Sequence, residues 1–272
     1  MTFPHRPIAF ILAASNHGAM IVNRNDYNVT ASNFAYGVGH QILQQSSYDA
    51  SEVGFVLALL AQRRHYYGDG VVAIDGGANI GVHTVEWARH MHGWGQVLSF
   101  EAQEVIYYAL AGNIALNNCL NARARLCALG ESDGTLMVPQ PDYFARGSFG
   151  SLELRQRENT EHIGQNIAYD ASVGSAVPIT SIDSLGLERV DLIKLDVEGM
   201  EVDVLRGARS VLQRLKPAVF VEILKSDQTV IKAFFDELGY RYFPGGLNII
   251  AVHAEDPVLQ HVNHTNGVTY IS

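Results

Sequence analysis

The stretch VVAIDGGANIG, residues 71–81, decides the fold. Small and branched apolar residues run into Asp75, and Gly76, Gly77, Ala78, Asn79, Ile80 and Gly81 follow. The pattern predicts a buried strand that stops at a carboxylate and opens into a tight turn before a helix. Outward from this point the alternation continues. A helix is expected from about 82, a strand at 97–101, a helix at 103–118 and a strand at 123–129. Later come strand 191–196, helix 199–215, strand 218–223 and helix 227–238. Runs apolar on both faces, alternating with helices, predict a parallel sheet covered on both sides. The ending departs from that pattern: YRYF, PGG and LNIIAVH, over 240–253, read as strand, tight turn and antiparallel strand.

Upstream, SEVGFVLALLAQRRHYYG at 51–68 reads as a helix begun by Ser51 and Glu52 and closed by Gly68. Residues 24–50, rich in Asn, Tyr, Gly and Ser, show little periodicity and read as irregular. The opening HRPIAFILAAS resembles a secretion signal, but its apolar run is short and only Arg6 gives firm positive charge. IAFILAASNHGAMIVN is better read as a hairpin around Asn-His-Gly. The expected organisation is therefore a hairpin and irregular cap at 1–50, followed by one catalytic-type domain at 51–272.

The 272 residues are 47% hydrophobic, enough for a full core, and carry a formal charge of −9. That balance argues against a sequence-independent nucleic-acid surface. Cys119 and Cys127 make no CxxC or zinc-type spacing and suit a reducing, cytoplasmic setting. No apolar run approaches the ~20 residues of a membrane span.

A ligand of such a sheet binds outside the carboxyl ends of the strands, where the chain order reverses. Any tight βα turn can use glycine, but three features point to one kind of ligand. The spacing is Asp75-x-Gly77-x-Asn79-x-Gly81 rather than GxGxxG, and no Walker sequence occurs. Asp75, placed at the mouth, would repel a pyrophosphate and welcome an ammonium group. Glu101 ends the second strand, twenty residues after Gly81, where a carboxylate accepts from both hydroxyls of a ribose. A ribose with an ammonium and no phosphate describes S-adenosylmethionine.

VVAIDGGANIGVHT, VLSFEAQ, ALGESDG, VPITSIDSL and VDLIKLDVEGMEVDVLRGA together resemble the FkbM family of S-adenosylmethionine-dependent methyltransferases, over about residues 70–224. The resemblance implies a Rossmann-like, class I methyltransferase fold: a seven-stranded, mostly parallel α/β sheet with an antiparallel C-terminal hairpin, here with a small N-terminal extension. It implies methylation of hydroxyls, often on sugars of metabolites or glycans, and in some members of peptide amides. Carried over by position, Gly77, Ala78, Asn79 and Gly81 line the methionine part of the cofactor, with Asp75 beneath and Gly76 a further cofactor contact. Glu101 holds the ribose, Ala102 is a further cofactor contact, and Cys127, Ala128 and Leu129 border the adenine. Thr84 is either a methionine-carboxylate contact or a plain first-turn residue.

Methyl transfer needs nucleophile and methyl in line, and a sugar hydroxyl also needs a base or a metal. IKLDVEG puts Asp196 at a strand end beside the methyl, Glu198 in the turn, and Glu222 one strand over. Asp196, Glu198 and Glu222 are the catalytic candidates. They would suit Mg²⁺, or equally a hydrogen-bonded cluster without metal. Lys194 shares a strand face with Asp196 and is expected to pair with a carboxylate. The irregular segment 142–175 reads as a binding loop. Within it Arg146, Ser148 and Ser151 are the candidate acceptor contacts, with His253 at the end of the last strand. Arg155 and Arg157 would either grip a phosphate or carboxylate or stay solvated.

The expected activity is O-methylation of a sugar- or glycan-type acceptor. The alternatives are N-methylation of peptide side-chain amides and a binding protein that keeps the fold without turnover. A second copy of the chain is a candidate partner.

Overall fold

The computed structural model describes residues 7–170 and 172–272, so His5 and Arg6 of the leader-like opening lie outside the described residues. The chain opens on a hairpin of β1 (Phe10–Ser15) and β2 (Gly18–Asn23), then a small ladder of β3 (Asn28–Val29) and β4 (Ala35–Tyr36). Helix α1 (Val38–Gln45) follows, where the sequence showed no periodicity; Val38, Gly39 and Ile42 are its buried residues, too few to mark a stripe. Helix α2 is Ala50–Tyr67 and ends at Gly68 as expected.

The alternating core then runs β5 (Val71–Gly76), α3 (Val82–His90), β6 (Gly95–Glu101), α4 (Glu104–Leu116) and β7 (Ala122–Leu126). The single strand expected at 123–129 is divided at Cys127, whose N–H donates to Glu101 O at 3.0 Å. Its remainder, β8 (Ala128–Leu129), joins β9 (Gly134–Val138) and β10 (Ser175–Thr180) in a separate three-stranded sheet. β11 (Leu192–Leu195) returns to the main sheet.

The helix expected at 199–215 is two, α5 (Glu201–Arg206) and α6 (Arg209–Leu215). Asp183 explains the restart: its carboxylate accepts from the N–H groups of Ser210 and Val211, supplying α6 with acceptors for its free donors. β12 (Ala218–Glu222), α7 (Gln228–Glu237), β13 (Tyr240–Gly245) and β14 (Asn248–His253) complete the domain. A last hairpin, β15 (Val262–Thr265) and β16 (Val268–Ile271), was not expected.

The seven-stranded sheet has the order β13-β14-β12-β11-β5-β6-β7. All neighbours pair in parallel except β14, which is antiparallel to both β12 and β13. Side chains of β5 alternate between two cores. Val71 and Ala73 pack with α2 and α3 residues such as Leu59 and Val85. Val72 and Ile74 pack with Val204, Val211 and Phe235 from the opposite helices. From β5 the chain moves one way to β6 and β7, and later the other way to β11 and β12. The reversal leaves a crevice outside the carboxyl ends of β5 and β11.

Candidate active site

Three adjoining cavities occupy that crevice. The first, about 460 Å³ counting its open mouth, lies against Gly77, Asn79, Glu101 and Ala102, with Ala128, Leu129, Leu152 and Met200 as apolar walls. The second, about 800 Å³, reaches from Ala78 and Asn79 to Tyr36, Gln41 and Tyr48 of the N-terminal segment. A third, about 1190 Å³, opens between Asp49, Glu52, Phe55, Phe220 and the loops at Gly245 to Asn248 and Gly267 to Thr269. Asn79, Gly150, Asp196 and Glu198 border both the first and second. Asp196 borders all three.

The turn after β5 can lie close to the next strand end because residue 77 has no side chain. A Cβ on Gly77 would stand 1.8 Å from Asp196 O, and its φ of 76° is in the left-handed region. Asp196 N–H in turn donates to Gly76 O at 3.0 Å. The two strand ends thus meet backbone to backbone.

Glu101 is buried at the end of β6. Its Oε2 accepts from Asn79 N–H at 2.9 Å and its Oε1 from Gln103 N–H at 2.8 Å. Burial pushes its carboxyl up to about 7, and the backbone donors offset only part of that. Each oxygen keeps a second lone pair for a ligand in the first cavity.

Asp75 does not lie at the mouth. It is fully buried beneath the turn, because it belongs to the interior of β5. Its Oδ2 accepts from Thr84 Oγ1 at 2.6 Å, and Oδ1 has no hydrogen-bond partner among the described residues. Thr84 is buried too and its hydroxyl also meets Ser99 Oγ at 2.7 Å, so it braces Asp75 rather than facing the cavities. Gly76 and Gly81 likewise lie behind the walls, whereas Gly77, Ala78 and Asn79 form them.

Asp196, Glu198 and Glu222 come together as expected, with one oxygen from each within 4.8 Å of the others. Two of them are already partnered by cations. Lys194 Nζ lies 3.1 Å from Asp196 Oδ2, and Lys225 Nζ lies 2.5 Å from Glu198 Oε2. Burial works against charge on Lys194, but Asp196, Asp75 and Glu52 outweigh it and hold its ammonium above the ordinary range. Glu198 is pushed well up by burial and then by Asp196, against the opposing pull of Lys225. Glu222 is raised to about 8, first by burial and then by Asp196 and Glu201. With lysines supplying the positive charge, the group fits a hydrogen-bonded cluster better than a dedicated Mg²⁺ site.

The acceptor candidates divide. Ser148 and Ser151 line the second cavity and touch each other through their hydroxyls at 2.9 Å. Arg146 does not line these cavities; its guanidinium stands 5.9 Å from the Tyr27 ring centroid. Arg155 pairs with Asp203 and Arg157 with Glu153. His253 is misplaced as a site residue for a simple reason. β14 runs antiparallel, so its end lies at the opposite edge of the sheet. Its start, Asn248, is the residue paired with Glu222 and lining the third cavity.

Other residues of the walls escaped the sequence reading. His83, in the first turn of α3, borders the second and third cavities with Nε2 3.1 Å from Glu52 Oε1. Its Nδ1 has no partner among the described residues. Burial alone would raise the Glu52 carboxyl, but the His83 hydrogen bond, Lys194 and Asn248 hold it below the ordinary value. Gln103 reaches from Glu101 to Phe149 O at 2.8 Å. The position of His83 one residue before Thr84 was a usable signal; the pairing of Glu52 with it was not, since only the tertiary fold joins them.

The family model for the methyltransferase FkbM domain matches residues 75–242. Methyltransferase sdnD of Sordaria araneosa is 30% identical over 192 residues, covering 61% of this chain and 72% of that protein. Methyltransferase 1 of Beauveria bassiana (strain ARSEF 2860) is 28% identical over 188 residues, 61% of this chain and 71% of that protein. A solved methyltransferase FkbM from Methylobacillus flagellatus KT aligns with a TM-score of 0.46 at 16% identity, over 78% of this chain and 57% of its own. An S-adenosylmethionine-dependent O-methyltransferase from Thermotoga maritima aligns at 0.42 and 11% identity, over 89% and 85% respectively.

Proposed function

Because the chain belongs to the FkbM methyltransferase family, we propose that it transfers the methyl group of S-adenosylmethionine to a hydroxyl oxygen of a sugar-bearing acceptor. The observation that carries this reading is the position of Asp196, the residue common to the donor cavity and both cavities beyond it. Ala128, Leu129 and Leu152 would flank the adenine, Glu101 would take the ribose hydroxyls, and Gly77 to Asn79 would approach the methionine part. When bound, the cofactor supplies a methyl on a sulfonium, whose sulfur departs as a neutral thioether.

The protein's own work is then positioning and proton removal. Asp196 stands where the hydroxyl must meet the methyl, its charge balanced by Lys194. Glu222, facing the acceptor side, takes the hydroxyl proton as the oxygen–carbon bond forms. A carboxylate raised to about 8 is a far stronger base than an ordinary one. The walls carry Asp49, Glu52, Asp196 and Glu222 beside Phe55 and Phe220, while the nearby arginines are engaged elsewhere. That lining favours an uncharged polyol over a sugar phosphate. The described residues from 7 to about 50 act as a cap that completes the acceptor side of the domain.

The test is transfer of labelled methyl from S-adenosylmethionine to glycosides with free hydroxyls. A methyl ether and S-adenosylhomocysteine are expected, without loss on treatment with chelator. Since the base acts ionised, turnover should rise as pH passes through about 8, and Glu222→Gln should lower it by about 10²–10⁴-fold and flatten that rise. A labelled amide, or undiminished turnover in Glu222→Gln, would refute the reading.

A further inference from the structure

The segment NRNDYN, residues 23–28, directs its polar side chains at a part of the chain more than a hundred residues away. Asn23 Nδ2 donates to Tyr143 O at 3.0 Å, Asn25 Nδ2 to Phe144 O at 3.1 Å, and Asn28 Nδ2 to His162 O at 2.8 Å. Asp26 does something different. Its Oδ1 accepts from Phe149 N–H at 2.9 Å while its Oδ2 accepts from Gly39 N–H at 2.8 Å. One buried carboxylate thus joins the 148–151 segment to the first turn of α1.

Phe149 and Gly39 line no cavity themselves, but the segments they belong to supply cavity walls. Gly150 borders the donor cavity and the one beside it, with Ser148 and Ser151 on the second. Gly37, Val38 and Gln41 line the second cavity from the α1 side. Asp26 itself lines neither. Phe149 O also receives Gln103 Nε2, and Gln103 N–H donates to Glu101 Oε1. Hydrogen bonds therefore run from Glu101 through Gln103 and Phe149 to Asp26 and Gly39, from the ribose position to the acceptor wall. The junction is close: a Cβ on Gly39 would fall 2.4 Å from Asn23 O and 2.8 Å from Asp26 Cβ.

We propose that Asp26 is a positioning residue for methyl transfer, holding the 148–151 segment and α1 at the one spacing at which donor and acceptor cavities meet at Asp196. This rests on the donor cavity taking the cofactor as proposed above. A carboxylate is required because both neighbours are donors; an amide would turn an NH₂ toward one of them. Burial raises Asp26 to about 6, and the bonds from Gly39 and Phe149 oppose that rise, so it is ionised at neutral pH.

Asp26→Asn is compared with Asp183→Asn, whose carboxylate also accepts from two backbone N–H groups but lies at α6. Both should lower the melting temperature. Asp26→Asn should weaken S-adenosylhomocysteine binding about tenfold, whereas Asp183→Asn should change it less than twofold. Equal affinities in the two variants would overturn the proposal. If Asp26→Asn does not fold, amide exchange on the wild type decides. Loading with S-adenosylhomocysteine should slow exchange over 24–28 and 37–40 together with 147–152, although 24–28 borders no cavity. Slowing confined to 147–152 would overturn the coupling. Failure of the wild type to bind S-adenosylhomocysteine removes the proposed function and this inference with it; binding with an unaffected Asp26→Asn removes only the inference.

Discussion

In Glu101, burial and backbone hydrogen bonding pull in opposite directions. Burial favours the neutral acid, while Asn79 and Gln103 donate to the charged form, and the balance settles at about 7. A ribose with two donor hydroxyls adds to the charged side, so ligand and carboxylate stabilise each other. Above about 7 the ionised group accepts from both hydroxyls; below it one oxygen carries a proton and turns donor. Affinity for S-adenosylhomocysteine should therefore rise between pH 6 and 8 and level beyond. Asp26, at about 6, titrates at the foot of that range. Glu101→Ala removes two bonds to a charged acceptor, each worth about 1.5–3 kcal/mol. Coupled bonds do not add fully, so the expected loss is about 2–4 kcal/mol, or about 30- to 1000-fold in affinity. Calorimetric titration across pH checks both points. A change below threefold in a folded variant would place the ribose elsewhere.

At the scale of elements, the site depends on two strand ends touching. Gly77→Ala would force a Cβ into the space of Asp196 O, at 1.8 Å, and part the β5 and β11 loops. Gly93 makes the matching control, with a φ of 82° and nothing within 4 Å of a Cβ. Gly93→Ala should cost only the left-handed strain, about 1–2 kcal/mol. Gly77→Ala should cost a further ~1–3 kcal/mol from overpacking and weaken cofactor binding at least a hundredfold. Similar melting temperatures and affinities for the two variants would deny the close approach its importance.

The same elements explain what the sequence could say. β5, β6, β11 and β12 were legible because strands buried on both faces read as apolar runs, interrupted only by Ser99 and Lys194, that lead into Asp75, Glu101, Asp196 and Glu222. α1 was not, because only Val38, Gly39 and Ile42 of its residues are buried, too few to mark an apolar stripe. His253 was misjudged through direction: the hairpin was recognised, but an antiparallel strand brings its first residue, Asn248, to the site. Asp75 and Thr84 were recognised as neighbours of the turn, yet whether a side chain faces the cavity or the core is fixed by packing. Glu52, His83 and Asp26 act through contacts that only the folded chain creates.

The molecule as a whole divides labour between the two edges of its sheet. At the carboxyl edge lie the cavities and their crowded carboxylates, several pushed away from their ordinary ionisation. The opposite edge carries a different buried polar group. Arg63 of α2 bonds Asp191, just before β11, and Asp256, just after β14, while lying 4.2 Å from the Tyr67 ring centroid. Asp191 also accepts from Val72 N–H at the start of β5 and from Arg189. Here opposite charges are matched and every carboxylate is partnered, an arrangement suited to holding α2, the sheet and the C-terminal segment together. Arg63→Met keeps much of the side-chain volume but leaves two buried carboxylates short of a donor, which costs about 3–5 kcal/mol. For a chain of this length that corresponds to a melting temperature lower by on the order of 10 °C. Because Arg63 borders none of the three cavities, affinity for S-adenosylhomocysteine at a temperature where the variant is folded should stay within twofold of wild type. Thermal unfolding and calorimetric titration on the same sample test the division. An unchanged melting temperature, or a tenfold loss of affinity, would mean that the two edges are energetically one unit rather than a stabilising edge and a reactive one.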